Sequence, residues 1–549
     1  MAYTKLNRSA ATLTKNRTEG SISPFSGMCV TCVDGCIGMC EIGKSAYRGQ
    51  EVLYPQPFGL VTAASEKDYP VDLSHFTILG TAVGAVGVKA DPDHATFEKV
   101  SIETAVGKDK GIKLKVPFVV PGMGSTNVAK NNWPGLGTGV ALAGGILTVG
   151  ENVCAMDNEG TIENGQVVRS PDMEMRVNSF MDWYEGYGAV VIQANVEDTR
   201  LGVQEYAMEK LGVEVVELKW GQGAKDIGGE VKIKSLEKAQ RLYKTGYIVL
   251  PNPTDPDVIN AFKKGAFKEF ERHSRLGMVE WESFEARVKE LRDRGAKYVF
   301  LKTGAYRPAD LARAVKFASK AGIDMLTVDG AGGGTGMSPW RMMNEWGIPS
   351  VEIWSLTYDY CKKLDDAGEY VPDIVFAGGI TFEDQIYKAM ALGAPYVKAV
   401  GMARSPLAAA MVGKTIGKRI DEDQIPVYVE RFGGNKEDIF VTATELKHKY
   451  GERFKDIPPG ALGVTGYYKR LNQGLRQMMA GNRKFALEYI ERSDIASLTR
   501  EAEDISGISY IMDVDKDEVD AISKADTRAE KQSPGHPDGW RDGRLLETA

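Results

Sequence analysis

Three glycine-rich turns in the second half of the chain, each directly behind an apolar run, constrain its fold more than any other feature. Met325-Leu-Thr-Val-Asp329 leads into Gly330-Ala-Gly-Gly-Gly334-Thr-Gly336, Ile374-Val-Phe-Ala into Gly378-Gly379-Ile380, and Tyr396-Val-Lys-Ala-Val400 into Gly401-Met-Ala-Arg404. A helix-like stretch follows each turn. Parallel strands covered on both faces read as short unbroken apolar runs, and regular strand–helix alternation predicts an α/β fold of the (β/α)8 TIM-barrel kind. In such barrels the loops behind the last two strands commonly hold a phosphate, because glycine lets backbone N–H groups approach it closely. A phosphate-bearing cofactor is the first expectation.

Five further runs complete a set of eight strands: Val116-Pro-Phe-Val-Val120, Gly145-Ile-Leu-Thr-Val149, Ala189-Val-Val-Ile-Gln193, Val213-Glu-Val-Val-Glu-Leu218 and Tyr298-Val-Phe-Leu-Lys302. The barrel is expected over residues 116–418. A cysteine-rich segment, 1–45, and a lead-in packed on the barrel, 46–115, precede it. Residues 225–280, rich in Lys, Pro and Gly, read as a long loop excursion. A charged helical region follows over 419–512, with Tyr467 to Arg492 as its amphipathic candidate. The charged stretch 513–549 reads as a tail without a core of its own.

The formal charge of −7 gives no electrostatic reason to expect nucleic acid or an anionic membrane as a partner. No run reaches the roughly eighteen apolar residues that a membrane span needs, and Met1 to Asn16 has no apolar core of a secretory signal. A cytoplasmic location is expected, where clustered cysteines bind metal or do redox work.

Four of the six cysteines fall within twelve residues, Cys29, Cys32, Cys36 and Cys40, as C-x2-C-x3-C-x3-C. Thiolates at that spacing can converge on one centre, and sulfur ligands suit iron–sulfur clusters or zinc. Zinc ribbons use two separated C-x2-C pairs more often, so the dense run favours a [4Fe–4S] cluster, with zinc and redox thiols as the other occupants. Gly27, Gly35 and Gly38 would let the backbone wrap it. Cys154 and Cys361 stand alone and read as buried structural residues. The five scattered histidines show no paired ligand spacing, which leaves serine- and zinc-hydrolase mechanisms without support.

Lys219-Trp-Gly-Gln222-Gly-Ala-Lys225-Asp-Ile-Gly-Gly229 resembles the Q-G-A-K-P-G-x-G-G segment of the FMN-binding synthase domain of glutamate synthase. Leu301-Lys302-Thr-Gly is similar to its V-K-L-V, Asp329 to Pro339 to its G-H-D-G-G-T-G-A-S-P, and Gly144-Gly-Ile-Leu-Thr-Val-Gly150-Glu151 to its G-G-x-S-N-T-G-E. The motifs run in the family's order across roughly residues 110–420. The resemblance implies an FMN-dependent barrel that reduces 2-iminoglutarate, formed from 2-oxoglutarate, to L-glutamate. By motif, Glu151, Gln222 and Lys225 look like its catalytic or substrate-orienting positions and Lys302 like the lysine beside the flavin. Gly378, Gly379 and Gly401 look like its phosphate-loop glycines, with Gly332, Gly333 and Arg404 beside them. Pro121, Gly122, Met123 and Ser125 would line the isoalloxazine ring.

The residues suit that chemistry on their own terms. A flavin carries the hydride step while the protein orients the acceptor. Lys225 can supply a cation to a dicarboxylate, and Glu151 could transfer a proton if burial raises its pKa. The plainer alternatives are a solvated loop lysine for Lys225, a structural hydrogen-bond partner for Glu151, and ligand-free turns at Gly378 and Gly379.

The departures from the family shape the remaining expectations. Ala2 follows Met1 where full glutamate synthases begin with a nucleophilic cysteine, so nitrogen is expected from ammonia or from an amidotransferase or amine-donating subunit. Met402 to Val412 lacks the family's three-cysteine cluster, and Cys29–Cys40 would serve as the electron route instead, fed by ferredoxin or a reductase subunit. No G-x-G-x-x-G fingerprint supports direct NAD(P)H binding. An oligomer is expected. The other readings are a subunit of an N-methylglutamate-synthase-like complex, an electron-transfer subunit without turnover, and an IMP-dehydrogenase-like barrel, which would want a loop cysteine that Gly334-Thr-Gly-Met-Ser does not offer.

Overall fold

A computed structural model describes residues 32–38, 40–49, 67, 69–220, 231–333 and 346–524, with the backbone of 540–541 and 544–545. Eight parallel strands close into one barrel: β1 Phe118–Met123, β2 Ile146–Val149, β3 Ala189–Ala194, β4 Val215–Lys219, β5 Tyr298–Thr303, β6 Met325–Asp329, β7 Asp373–Ala377 and β8 Val397–Gly401. Each strand pairs with the next in sequence, and β8 closes on β1. All eight sequence-derived runs are present. Their ends move by a few residues, β1 starting at Phe118 and β4 at Val215. The outer ring is α1 Asn127–Ala143, α2 Pro171–Met181, α3 Val203–Leu211, α4 Trp281–Asp293, α5 Pro308–Ala321, α6 Ser350–Asp366, α7 Glu383–Gly393 and α8 Arg404–Asp421.

The barrel has a dry floor and a polar interior above it. Val119, Ile146, Val191, Val215, Phe300, Met325, Val375 and Ala399 form one buried apolar tier. Val106, Ile112 and Leu114 join it from an antiparallel hairpin, Thr104–Val106 with Ile112–Leu114, which plugs the N-terminal end. Asp373 accepts the Gly107 N–H at 2.9 Å and pairs with Lys110, and Asp324 accepts the Lys108 N–H at 3.2 Å, so the roots of β6 and β7 hold the plug. Side chains alternate along a strand. Two residues further up, the inward tier is therefore Pro121, Thr148, Gln193, Glu217, Lys302 and Thr327.

A long helix, α9 Pro459–Gly481, lies across α8 and α1. Glycines bring the backbones together. A Cβ on Gly413 would stand 3.0 Å from Gly463 Cα, and one on Gly135 would stand 2.7 Å from Gly460 Cα. The amphipathic candidate at 467–492 is thus the second half of a longer helix that stops at Gly481, where Asn482 caps it and Arg483 takes a left-handed conformation (φ 57°). Ile495–Ser497 then pairs antiparallel with Phe76–Ile78, tying the C-terminal region to the lead-in.

The expected loop excursion is instead a folded insert. Val231–Ile233, Phe270–His273 and Ile248–Leu250 form a three-stranded antiparallel sheet, with helices Leu236–Lys244 and Pro256–Lys263. Phe262, Phe267 and Phe270 pack ring to ring, with centroids 5.0–5.4 Å apart. These apolar positions are spaced among lysines and prolines, which hid the small core from a run-based reading. Among the described residues, no helix is long and apolar enough to cross a membrane.

Candidate active site in the barrel mouth

The loops behind β1 and β2 touch backbone to backbone. The Gly150 N–H donates to Met123 O at 3.0 Å, and a Cβ on Gly124 would stand 2.4 Å from Glu151 O. At Gly122 a Cβ would meet Gln193 Oε1 at 2.7 Å, so glycine there lets the Gln193 amide lie against β1. The fully buried Arg176 of α2 steadies this corner. It donates to Met123 O and Gly124 O at 3.3 and 3.1 Å, pairs with Asp172 at 2.9 Å and stacks 4.4 Å from the Trp133 ring.

The interior holds paired charges. Lys302 Nζ lies 3.0 Å from Asp329 Oδ2, Lys219 Nζ lies 2.9 Å from Glu151 Oε2, and Gln193 Nε2 donates to Glu217 Oε1 at 2.5 Å. Burial opposes the charge on Lys302, but Asp329, Glu217 and Glu151 outweigh it and raise the lysine above its usual range. Burial dominates at Glu217 and raises its carboxyl despite Lys302 and the Gln193 hydrogen bond. At Glu151 burial also pushes upward, yet Lys219, helped by Lys302, wins and the carboxyl sits below the ordinary glutamate range. The upward shift on which proton transfer from Glu151 was conditional is therefore not present here.

On the opposite side the glycine loops converge. Gly378 and Gly379 have φ of 120° and 94°, conformations that side chains rarely adopt. Ser350 Oγ, at the start of α6, donates to Gly378 O at 2.7 Å and accepts the Gly332 N–H at 3.3 Å. A Cβ on Gly333 would stand 2.3 Å from Asp329 Oδ1, and one on Gly401 would stand 3.0 Å from Pro121 Cγ. These contacts join the loops behind β6, β7, β8 and β1. Helix α8 begins at Arg404 with no side-chain cap on its first turn, and its positive dipole end lies one loop beyond Gly401.

Of the sequence-derived site residues, Glu151, Pro121, Gly122, Met123, Ser125, Lys302, Gly332, Gly333, Gly378, Gly379, Gly401 and Arg404 lie in the C-terminal halves of the barrel strands or in the segments that follow them. Gln222, Lys225 and Cys29 lie outside the described residues. The segment that carries Cys32, Cys36 and Cys40 runs against α1 and α8. Asp34 accepts from Asn131 and Asn132 of α1 at 2.9 and 2.8 Å, and a Cβ on Gly38 would stand 2.6 Å from Val412 of α8. Cys36 Sγ accepts the Gly38 N–H and Cys40 Sγ accepts the Gly43 N–H, each at 3.4 Å. Among the described residues, no three His, Cys, Asp or Glu side chains converge as a metal-binding group.

Sequence reasoning missed Gln193, Glu217, Lys219, Asp329 and Arg176. A signal did exist for two of them. In Val215-Val-Glu-Leu-Lys219, polar residues two apart inside an apolar strand mark positions facing the barrel interior.

Residues 273–413 match the conserved region in glutamate synthase. The glutamate synthase large subunit-like protein YerD of Bacillus subtilis is 30% identical over 112 residues, 20% of this chain and 21% of that protein. The match thus spans about a fifth of that relative's length. Among solved structures, the flavin-binding domain of baker's yeast flavocytochrome b2 aligns over 78% of each chain at 14% identity, with a TM-score of 0.42. A chimera of (S)-mandelate dehydrogenase aligns over 77% of this chain and 88% of that one at 12% identity, with a TM-score of 0.41. From the end of the insert through β5, β6, β7 and β8 into α8, this chain is similar to the conserved region of glutamate synthase.

Proposed function

We propose that the protein is an FMN-dependent oxidoreductase that reduces 2-iminoglutarate to L-glutamate. Two electrons and two protons convert the imine carbon and nitrogen to an amine, and the electrons would come from ferredoxin or a reductase subunit. Cys29, Cys32, Cys36 and Cys40 would hold the iron–sulfur cluster that passes them inward. FMN, when bound, supplies the hydride-transfer chemistry.

The observation that carries this reading is the paired Lys302 and glycine cradle inside the segment that matches glutamate synthase. The residues fit a flavin on two further counts. Thr148 Oγ1, Gln193 Oε1 and Thr327 Oγ1 are buried in the barrel's polar tier without a protein partner among the described residues, and such groups call for a polar occupant. The uncapped first turn of α8 beside Gly401 suits a phosphate.

In this reading Gly378, Gly379, Gly401 and Arg404 hold the phosphate, Pro121 to Ser125 flank the ring, and Lys302 keeps a fixed positive charge against it. Lys219 and Glu151 define the polar wall on which the substrate docks. Gln222 and Lys225 would orient its carboxylates.

The cysteine segment lies behind the same loops. Tyr467 donates to Thr381 O, two residues past Gly379, and lies 3.9 Å from Met402 Sδ. Burial raises the Tyr467 hydroxyl above its ordinary range, and Glu383 and Cys40 add to that rise.

Anaerobic purification followed by an absorbance spectrum, with flavin, iron and sulfide assayed on one sample, tests the reading. About one FMN with four iron and four sulfide per chain, and glutamate formed from ammonia, 2-oxoglutarate and reduced ferredoxin, is the expected result. Cofactors without turnover would favour the electron-transfer subunit. No flavin after reconstitution would refute the proposal.

A further inference from the structure

The residue after Glu151 is gripped from two sides by groups the proposed reaction does not use. Asn152 occupies the left-handed region (φ 63°), which a non-glycine residue holds only with support. Its N–H lies 3.1 and 3.0 Å from the two carboxylate oxygens of Asp198, and its side-chain oxygen accepts from the Tyr247 hydroxyl at 2.9 Å. Asp198 belongs to the turn Val196–Arg200 behind β3 and is 1% exposed. Tyr247 belongs to the insert and is also buried. The grip fixes the backbone from which the Glu151 side chain reaches Lys219.

We propose that Asp198 is a positioning residue of the site, holding Asn152 so that Glu151 meets Lys219, and that the charge on its carboxyl sets how strongly the site takes an anionic substrate. The second half of this inference rests on the dicarboxylate reading above.

The groups facing Asp198 are Glu151 and Cys154 from the segment behind β2, Lys219 from the end of β4, and Tyr247 from the insert with Arg272 over its ring. On its own turn, Glu197 is engaged by Arg200 at 3.2 Å and by Arg275 of the segment behind the insert at 3.0 Å. Burial pushes the Asp198 carboxyl up to about 7, with the Asn152 amide pulling down and Glu151 pushing further up. The group thus changes charge near neutrality. Ionised, it sets a second anion beside Glu151 and shares the field of Lys219. Protonated, it leaves Lys219 to Glu151 and an incoming carboxylate.

The sign of the effect on stability follows from the upward shift. Folding takes up a proton between the ordinary aspartate range and pH 7, so the stability held through Asp198 is present at low pH and lost as pH rises to about 7. Asp198→Asn keeps an oxygen acceptor for the Asn152 N–H but cannot ionise. The difference in melting temperature between wild type and this variant should fall steadily from pH 5 to 7 and level off above. Binding of 2-oxoglutarate to the flavin-loaded protein should weaken about tenfold from pH 6 to 8 in wild type and stay level in Asp198→Asn. In Glu151→Gln the wild-type titration step should move to lower pH, because a charge that props it up is gone.

A melting difference that ignores pH overturns the proposal, as does a wild-type 2-oxoglutarate affinity that Asp198→Asn tracks at every pH. Should Asp198→Asn fail to fold, the Glu151→Gln profile decides, and an unmoved step overturns the coupling. A pH-dependent melting difference with no 2-oxoglutarate binding at any pH would support the positioning role and overturn the dicarboxylate reading.

Discussion

Lys302 and Asp329, at the upper ends of neighbouring strands β5 and β6, meet at 3.0 Å with both side chains about nine-tenths buried. The pair links the barrel interior to the glycine turn that starts at the next residue. Its Asp329 oxygen occupies the space that a side chain on Gly333 would need.

Lys302→Ala leaves Asp329 and Glu217 buried without their cation. Breaking one side of such a pair costs about 3–5 kcal/mol, so urea titration should show a large loss, and the purified variant should retain little flavin. The lysine is raised above its usual range, so its stabilisation is present below that range and lost only in strongly alkaline solution. The loss should therefore be level between pH 6 and 9. A variant of wild-type stability would mean that the pair does not hold this corner.

Glu151→Gln should behave in the opposite sense. The Glu151 carboxyl is depressed by Lys219 in spite of burial, so its contribution is present above the ordinary glutamate pKa and lost on acidification below it. The gap between wild type and variant in denaturant midpoint should be steady above about pH 8, where Asp198 is ionised in both, and should close as pH falls below about 4. A gap that widens in acid would contradict the ion pair.

The helix contact between α8 and α9 is equally open to test. A Cβ on Gly463 would stand 2.2 Å from Ala409 O, so Gly463→Ala should force the helices apart and cost about 1–3 kcal/mol. Gly434→Ala meets nothing within 4 Å and should stay within about 0.5 kcal/mol of wild type. Calorimetry on both variants checks the contrast.

Gly378→Ala combines a φ of 120° with a contact 2.8 Å from Gly330 N. The strain is on the order of 1–3 kcal/mol and falls on the cradle itself. The expected outcome is a folded protein whose flavin dissociates on gel filtration, with ammonia-dependent glutamate formation lost in parallel. Full flavin retention would move the phosphate site elsewhere.

Strands buried on both faces write their positions directly into the chain, and this is why all eight barrel strands were legible as apolar runs. The glycine turns behind β6, β7 and β8 were legible for a related reason: backbones that approach this closely leave no room for a side chain. The insert was not, because Tyr247, Phe262, Phe267 and Phe270 are scattered among lysines and prolines and gain a common core only through the antiparallel pairing of three short strands. The state of Glu151 was also beyond a linear reading. Its partner Lys219 stands at the end of a different strand, and only barrel closure turns an upward shift into a downward one. Asp198 sits in Asn195-Val-Glu-Asp-Thr-Arg200, which reads as the solvated start of a helix. The folded insert is what closes over it.

The hairpin at Thr104–Leu114 shuts the N-terminal end of the barrel. With the floor closed by Val106, Ile112 and Leu114, substrate and product on the proposed reading share the opposite, C-terminal rim, where the glycine loops lie. On the proposed reading glutamate has to leave before the next oxo acid arrives, and electrons alone have a second way in, through the helical side wall where the cysteines sit.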